Sequence, residues 1–240
     1  MSKGKKNKSE FVNPYLFIDQ FSKTLPKDIT TVVSNGSASV VGSATYYIGK
    51  DQRFIMNCGI SSMGYGLPAS IGACVASNNK KTVCIEGDGS IMMNIQELQT
   101  IATNKLPIKI VILNNDGYQQ IRLTQTNVFD KRFVGLGPDS NDLGFPSFEK
   151  IAYAFDIPYF KCNANNTIEE IEKFLKDDNY AILEVMCDKD QIFEPKSATK
   201  KLDDGTLYSP PLEDLSPFLN KDELKENMYI KLWRDEDEKV

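Results

Sequence analysis

What most constrains this chain is a recurring unit: a short run of β-branched and aliphatic residues, a break rich in Gly, Asn or Asp, then apolar residues at helical spacing. Ile29-Thr30-Thr31-Val32-Val33 runs into Ser34-Asn35-Gly36. Thr82-Val83-Cys84-Ile85 is followed by Gly87-Asp88-Gly89-Ser90, after which Ile91, Ile95, Leu98 and Ala102 recur at helical spacing. Ile108 to Leu113 ends in Asn114-Asn115-Asp116-Gly117, and Ala181-Ile182-Leu183-Glu184-Val185 forms the last such run. Short apolar runs between turn signals read as strands buried on both faces. Strands alternating with helices read as a parallel sheet covered on both sides. The expected fold class is therefore α/β: a doubly wound, mostly parallel sheet with helices on both faces and right-handed crossovers.

Further elements fit that frame. Tyr15, Ile18, Phe21 and Leu25 share a helical face that Pro26 closes. Gly64-Tyr65-Gly66 leads into an apolar helix from Leu67 to Ala76, with Pro68 in the first turn, where a missing N–H costs nothing. A helix is expected from Phe148 to Phe155, a strand from Ile157 to Phe160 and an amphipathic helix from Ile168 to Lys176. The chain of 240 residues is long enough for one large domain. The expected division is a flexible basic arm over residues 1–10, a globular domain over 11–195 and an extended C-terminal segment over 196–240. That last segment holds a short helix from Asp222 to Asn227 and an acidic tail.

Composition excludes several classes of function. No apolar run approaches the roughly 20 residues that span a bilayer. Tyr15-Leu16-Phe17-Ile18 is too short for a signal core and is closed by Asp19. A formal net charge of −5 implies no broad basic surface, so a nucleic-acid partner is not expected. The five cysteines are an odd number with no CxxC pair, which argues against a disulfide scaffold or thiolate zinc and for a reducing cytoplasm. The chain has no histidine, which removes His-dependent triads and His-ligated zinc or haem. Chemistry must come from carboxylates, amides, hydroxyls, backbone groups or a cofactor.

Two strand ends carry that chemistry. In open parallel sheets, ligands bind beyond the carboxyl ends of the strands. If the strands ending at Gly87 and Asn114 are neighbours, Asp88 and Asn115 meet there. A carboxylate and an amide oxygen are half of a hard cation site of the kind magnesium completes with phosphate oxygens, carbonyls and water. The Gly89 and Ser90 amides start the next helix, where free N–H groups favour phosphate. A diphosphate bridged to magnesium is the natural ligand. Asp88 lies 27 residues before Asn115, a length that fits one βαβ crossover.

Gly87-Asp88-Gly89-Ser90 with Asn114-Asn115 resembles the thiamine diphosphate signature: Gly-Asp-Gly, a spacer in the high twenties, then Asn-Asn. The match extends through Ser61-Ser62-Met63-Gly64-Tyr65-Gly66-Leu67-Pro68-Ala69, Ile91-Met92-Met93-Asn94 with Glu97-Leu98, and Leu106-Pro107-Ile108. Together these segments resemble the diphosphate-binding domain of acetolactate-synthase-like enzymes. The resemblance implies that Asp88, the Asn115 side chain and the Gly117 carbonyl ligate magnesium. It implies that Gly87, Gly89 and Ser90 hold the diphosphate, with further contacts from Ser37 and Ala38. Met63 would wedge beneath the cofactor, the backbone at Ser61 and Met63 would bind the aminopyrimidine ring, and Tyr118 would border the site.

The resemblance also implies what lies outside the chain. Family enzymes pair this domain with a related pyrimidine-binding domain that carries an activating glutamate, and neither that domain nor an FAD-binding middle domain is visible in this sequence. No catalytic acid or base is assigned here; the glutamate is expected from a complementary domain or subunit in a homo- or hetero-oligomer. Acetolactate-type synthases carry tryptophan nine residues after the metal-binding asparagine. Here that position is Thr124, and Gln120 stands where the family has methionine. Both line the expected acceptor side, which becomes smaller and more polar. The expected activity is decarboxylation of a 2-keto acid with transfer of the acyl carbanion to a carbonyl acceptor. The alternatives are a plain 2-keto-acid decarboxylase subunit and a non-catalytic thiamine-diphosphate-binding module.

Overall fold

A computed structural model describes residues 10–201 and 204–231. They fall into two compact units, one ending at Gln191 and the other starting at Ile192. The expected basic arm lies, except for Glu10, outside the described residues, as does the acidic tail.

The larger unit is built on six parallel strands in the order β2-β1-β3-β4-β6-β5. They are β1 (Thr30–Val33), β2 (Arg53–Met56), β3 (Thr82–Gly87), β4 (Ile108–Asn114), β5 (Tyr159–Cys162) and β6 (Ala181–Met186). β3, β4 and β6 are nearly continuous runs of apolar residues and are buried along their length, as strands covered on both faces must be. The sheet is thus parallel throughout. The expected fifth strand is displaced by two residues: Pro158 has no N–H for a ladder, and its carbonyl instead receives the Ile182 N–H at 2.9 Å.

Helices cover both faces. α3 (Gly66–Ala76), α5 (Glu97–Asn104) and α7 (Phe148–Ala154) close one side around Leu67, Cys84, Leu98, Ile110, Ile112 and Phe148. On the other side lie α1 (Pro14–Thr24), α2 (Gly36–Thr45) and α8 (Thr167–Leu175). There Phe21 packs on Phe174 at 6.3 Å and Gly42 lets α2 approach Val33. α1 starts where Asn13 caps the Tyr15 N–H at 2.9 Å with Pro14 at the first helical position. The expected helix from Ile91 to Ala102 is broken into α4 (Asp88–Ile91), a 3₁₀ turn (Met92–Asn94) and α5, and α6 (Gln119–Val128) follows β4.

Strand order places the site. β1 leads through α2 outward to β2, while β3 and β4 build in the opposite direction, so the order reverses between β1 and β3. Such a reversal opens a crevice at the carboxyl ends of the strands. The register brings Val33 beside Ile85 and Gly87 beside Leu113, so β1, β3 and β4 end at one edge.

The smaller unit has a two-stranded antiparallel ribbon, β7 (Lys200–Lys201) with β8 (Leu207–Tyr208), and α9 (Lys221–Asn227), capped by Asn220. Lys200 bonds Asp214 at 2.8 Å and lies 4.0 Å from the Phe218 ring centroid.

Candidate functional site

The crevice is a cleft of about 120 Å³ lined from three strand ends: Asn35, Gly36 and Ser37 after β1, Gly87 at the end of β3 with Asp88 to Ser90 after it, and Asn115 with Gly117 to Ile121 after β4. Met63 completes the lining from the loop before α3.

Asp88 sits at its centre, 2 % exposed. Its Oδ1 accepts the Gly89 N–H at 2.7 Å and its Oδ2 accepts the Gly117 N–H at 2.9 Å. The two strand ends are therefore joined through this carboxylate. Burial pushes the carboxyl up to about 7, against the lowering effect of the Gly117, Gly89 and Asn115 amides. Asp116 nearby adds to the rise. A neighbouring cation would reverse that balance.

Asn115, 5 % exposed, donates its Nδ2 to Ser37 Oγ at 3.2 Å, which leaves Oδ1 as its acceptor end. Gly117 has φ +136°, and a Cβ there would lie 2.2 Å from the Leu136 carbonyl oxygen, so only glycine fits. Gly89 is equally tight: a Cβ would lie 2.3 Å from Tyr118 Cε1. The Tyr118 hydroxyl donates to the Gly89 carbonyl at 3.5 Å, and its ring meets Phe145 edge-on.

α2 points its N-terminus at the cleft. The amides of Gly36, Ser37 and Ala38 have no intrahelical acceptor, and no side chain caps them. That is an open anion cradle. The Ser90 hydroxyl, in contrast, is engaged: it accepts the Gly64 N–H at 2.9 Å and bonds Ser34 Oγ at 3.1 Å.

The structure thus brings together Ser37, Met63, Gly87, Asp88, Gly89, Ser90, Asn115, Gly117, Tyr118 and Gln120. Ala38 is buried and does not line the cleft; it lies in the uncapped first turn of α2. Ser61 and Thr124 lie outside the lining; both are exposed. The Ser61 carbonyl accepts from Asn35 Nδ2 at 2.9 Å, and Thr124 turns its hydroxyl back to the Gln120 carbonyl at 3.1 Å. Gln120 Nε2 is buried with no hydrogen-bond partner.

The sequence alone assigns no site role to Asn35, Gln119 or Glu86. Asn35 was visible as part of a turn after the first strand. Gln119 donates to the Lys189 carbonyl at 2.6 Å, a contact 70 residues away that no local pattern announces. Glu86, on the sheet side of the site, accepts the Leu67 N–H at 3.2 Å; burial pushes its carboxyl up to about 7.

Among the described residues no cluster of three His, Cys, Asp or Glu side chains forms a metal site. The donor set is mixed instead: one carboxylate, one amide oxygen and one carbonyl. Oxygen-only donors with a single carboxylate suit magnesium shared with phosphate oxygens. The uncapped α2 amides beside them suit the phosphates, so the residues present fit a magnesium diphosphate.

A doubly wound parallel sheet whose switch-point crevice pairs a phosphate cradle with a hard-cation donor set is, as a class, a diphosphate-cofactor domain. The family described as "Thiamine pyrophosphate enzyme, C-terminal TPP binding domain" matches residues 34–185, and the chain belongs to it. The chain is 33% identical over 202 residues to acetolactate synthase isozyme 2 large subunit of Escherichia coli, covering 84% of this chain and 35% of that one. It is 42% identical over 127 residues to an acetolactate synthase large subunit of Porphyra purpurea, covering 53% of this chain and 21% of that one. It is 30% identical to acetolactate synthase 1, chloroplastic, of Zea mays, over 76% of this chain and 29% of that one. The chain therefore spans about a fifth to a third of the length of these relatives. Among the described residues no helix is long and apolar enough to cross a membrane.

Proposed function

We propose that this chain is the cofactor-holding part of a thiamine-diphosphate- and magnesium-dependent enzyme that decarboxylates a 2-keto acid and transfers the acyl unit to a carbonyl acceptor. The observation that carries the reading is the convergence of Asp88, Asn115 and the uncapped start of α2 on one cleft. The identity to acetolactate synthase large subunits supports the reaction class.

When bound, thiamine diphosphate supplies the electron sink that lets the bond between carbonyl carbon and carboxylate break. This chain's residues hold and orient it. Asp88, Asn115 Oδ1 and the Gly117 carbonyl take the magnesium. The amides of Ser37 and Ala38, with those of Gly89 and Ser90, take the phosphates; Gly89 would exchange its present bond to Asp88. Met63, half-exposed in the lining, supports the cofactor from below, with the Ser61 backbone and Tyr118 at its borders. The acceptor side is polar: Gln120 Nε2 is a buried donor without a partner, which favours a hydroxylated acceptor such as a keto-sugar. An activating glutamate comes from a complementary pyrimidine-binding domain, and the working enzyme is an oligomer in the cytoplasm.

Calorimetric titration of the full chain with thiamine diphosphate tests the reading. Binding is expected with magnesium and not with chelator, and Asp88→Ala, which removes the only charged ligand, should take it beyond detection. Undiminished binding by the variant would overturn the metal assignment.

A further inference from the structure

Resting on that reading, we propose that Glu184, through Asn114, and Arg122 are positioning residues that hold the two backbone polar groups of Asp116 and so fix the spacing of the Asn115 and Gly117 donors for a small divalent cation.

Asp116 stands between the two donors with φ +60°, a left-handed conformation that costs a non-glycine residue free energy. Both of its backbone polar groups are held. Its N–H donates to Asn114 Oδ1 at 3.0 Å. Asn114 is itself oriented by donating Nδ2 to Glu184 Oε1 at 2.5 Å. Glu184 is 5 % exposed on β6 and is fixed in turn by the Tyr159 hydroxyl and, at 3.8 Å, by Lys161 Nζ.

The carbonyl of Asp116 accepts from Arg122 Nη2 at 3.3 Å. Arg122, also 5 % exposed, pairs through Nη1 with Asp139, whose carboxylate binds Lys189 Nζ at 2.9 Å. The segment leading to Asp139 closes on the same loop, because the Leu136 carbonyl receives the Tyr118 N–H at 2.8 Å. A residue in the left-handed region, with its N–H held by an Asn114 that the buried Glu184 orients and its carbonyl held by the buried Arg122, has little freedom to relax.

That rigidity matters for the cation. Magnesium demands a near-ideal octahedron at about 2.0–2.1 Å, whereas calcium accepts irregular sets of oxygens at about 2.3–2.6 Å. The clamp therefore favours the smaller ion. A purely structural role for Glu184 and Arg122 would weaken both ions alike.

The test is calorimetric titration of the full chain with thiamine diphosphate in saturating magnesium or saturating calcium, with thermal unfolding of each cofactor-free variant as a control. Glu184→Ala and Arg122→Met should lose about tenfold in affinity with magnesium, the scale on which outer-shell partners act. With calcium they should lose less than about threefold, so the preference for magnesium narrows. Glu184→Gln keeps an acceptor for Asn114 and should restore the wild-type preference. If Glu184→Ala yields no folded chain, Asn114→Ala breaks the same grip and carries the comparison. Equal losses with both ions, or none with either, would overturn the clamp. A wild-type chain that takes up thiamine diphosphate with neither ion would overturn the parent reading instead, so the two failures are distinct.

Discussion

At the scale of single residues, the site sets burial against charge. Asp88 is desolvated until its carboxyl titrates near 7, and it is tied to the loop after β4 through the Gly117 N–H. Gly117 has no room for a side chain, since the Leu136 carbonyl would lie 2.2 Å from a Cβ. Gly117→Ala should therefore cost about 2–3 kcal/mol of stability through backbone strain and overpacking. A urea-unfolding midpoint equal to wild type would contradict that. Met63 makes a different prediction. Its side chain is 41 % exposed in the cleft lining, so Met63→Ala removes little core packing. Affinity for thiamine diphosphate should stay within about twofold, the usual scale for surface substitutions, while turnover by the assembled enzyme falls. Unchanged turnover would remove Met63 from the list of supporting residues. Asp88 and Asn115 were legible in the sequence because each ends a strand, and strand ends in a parallel sheet share one edge. Gln119 and Arg122 were not, because their partners Lys189 and Asp139 are distant in sequence and only the fold brings them near.

At the scale of elements, β4 holds a buried cation. Lys109 is 1 % exposed and reaches Asp177 at 3.0 Å, with the Phe174 ring centroid 5.3 Å from its Nζ. Burial pulls its ammonium below the ordinary lysine value of 10.5, and Asp177 only partly opposes this. A base with a depressed folded value penalises folding wherever the unfolded chain holds the proton and the fold resists it. The penalty is complete below the folded value, shrinks as pH rises toward 10.5 and vanishes above it. Lys109→Met should therefore stabilise the chain at pH 7 by about 1 kcal/mol, and the gain should fade under alkaline conditions. Urea midpoints at neutral and alkaline pH measure this, and a gain that does not change with pH would contradict the sign. The same strand shows why elements differ in legibility. β3, β4 and β6 are buried on both faces and read as apolar runs, whereas β2 is a short edge strand whose residues are half-exposed. α2, with its small residues Gly36, Ser37, Ala38, Gly42 and Ser43, has no marked apolar stripe, so its helical period did not announce itself; Ser37 and Ala38 were reached only through the family resemblance.

At the scale of the whole molecule, the proposed reaction asks for more than the cleft holds. Among the described residues Asp88 is the only carboxylate in its lining, and the chain has no histidine. If Asp88 is committed to the cation, no lining side chain remains to move a proton at neutral pH. Glu86 is buried behind the site with one oxygen bonded to the start of α3, and it does not reach the lining. Under the proposed function, the acid or base that completes the reaction is then expected from a complementary domain. The pure chain should accordingly bind thiamine diphosphate with magnesium yet show negligible turnover of pyruvate. A second chain that supplies the pyrimidine-binding domain should raise turnover by at least about a hundredfold, the usual contribution of a positioned acid or base. Product analysis with and without an added ketone or aldehyde would then separate acyl transfer from simple decarboxylation. Robust turnover by the pure chain would mean that a group within it does the proton transfer, and Glu86 would be the first residue to substitute.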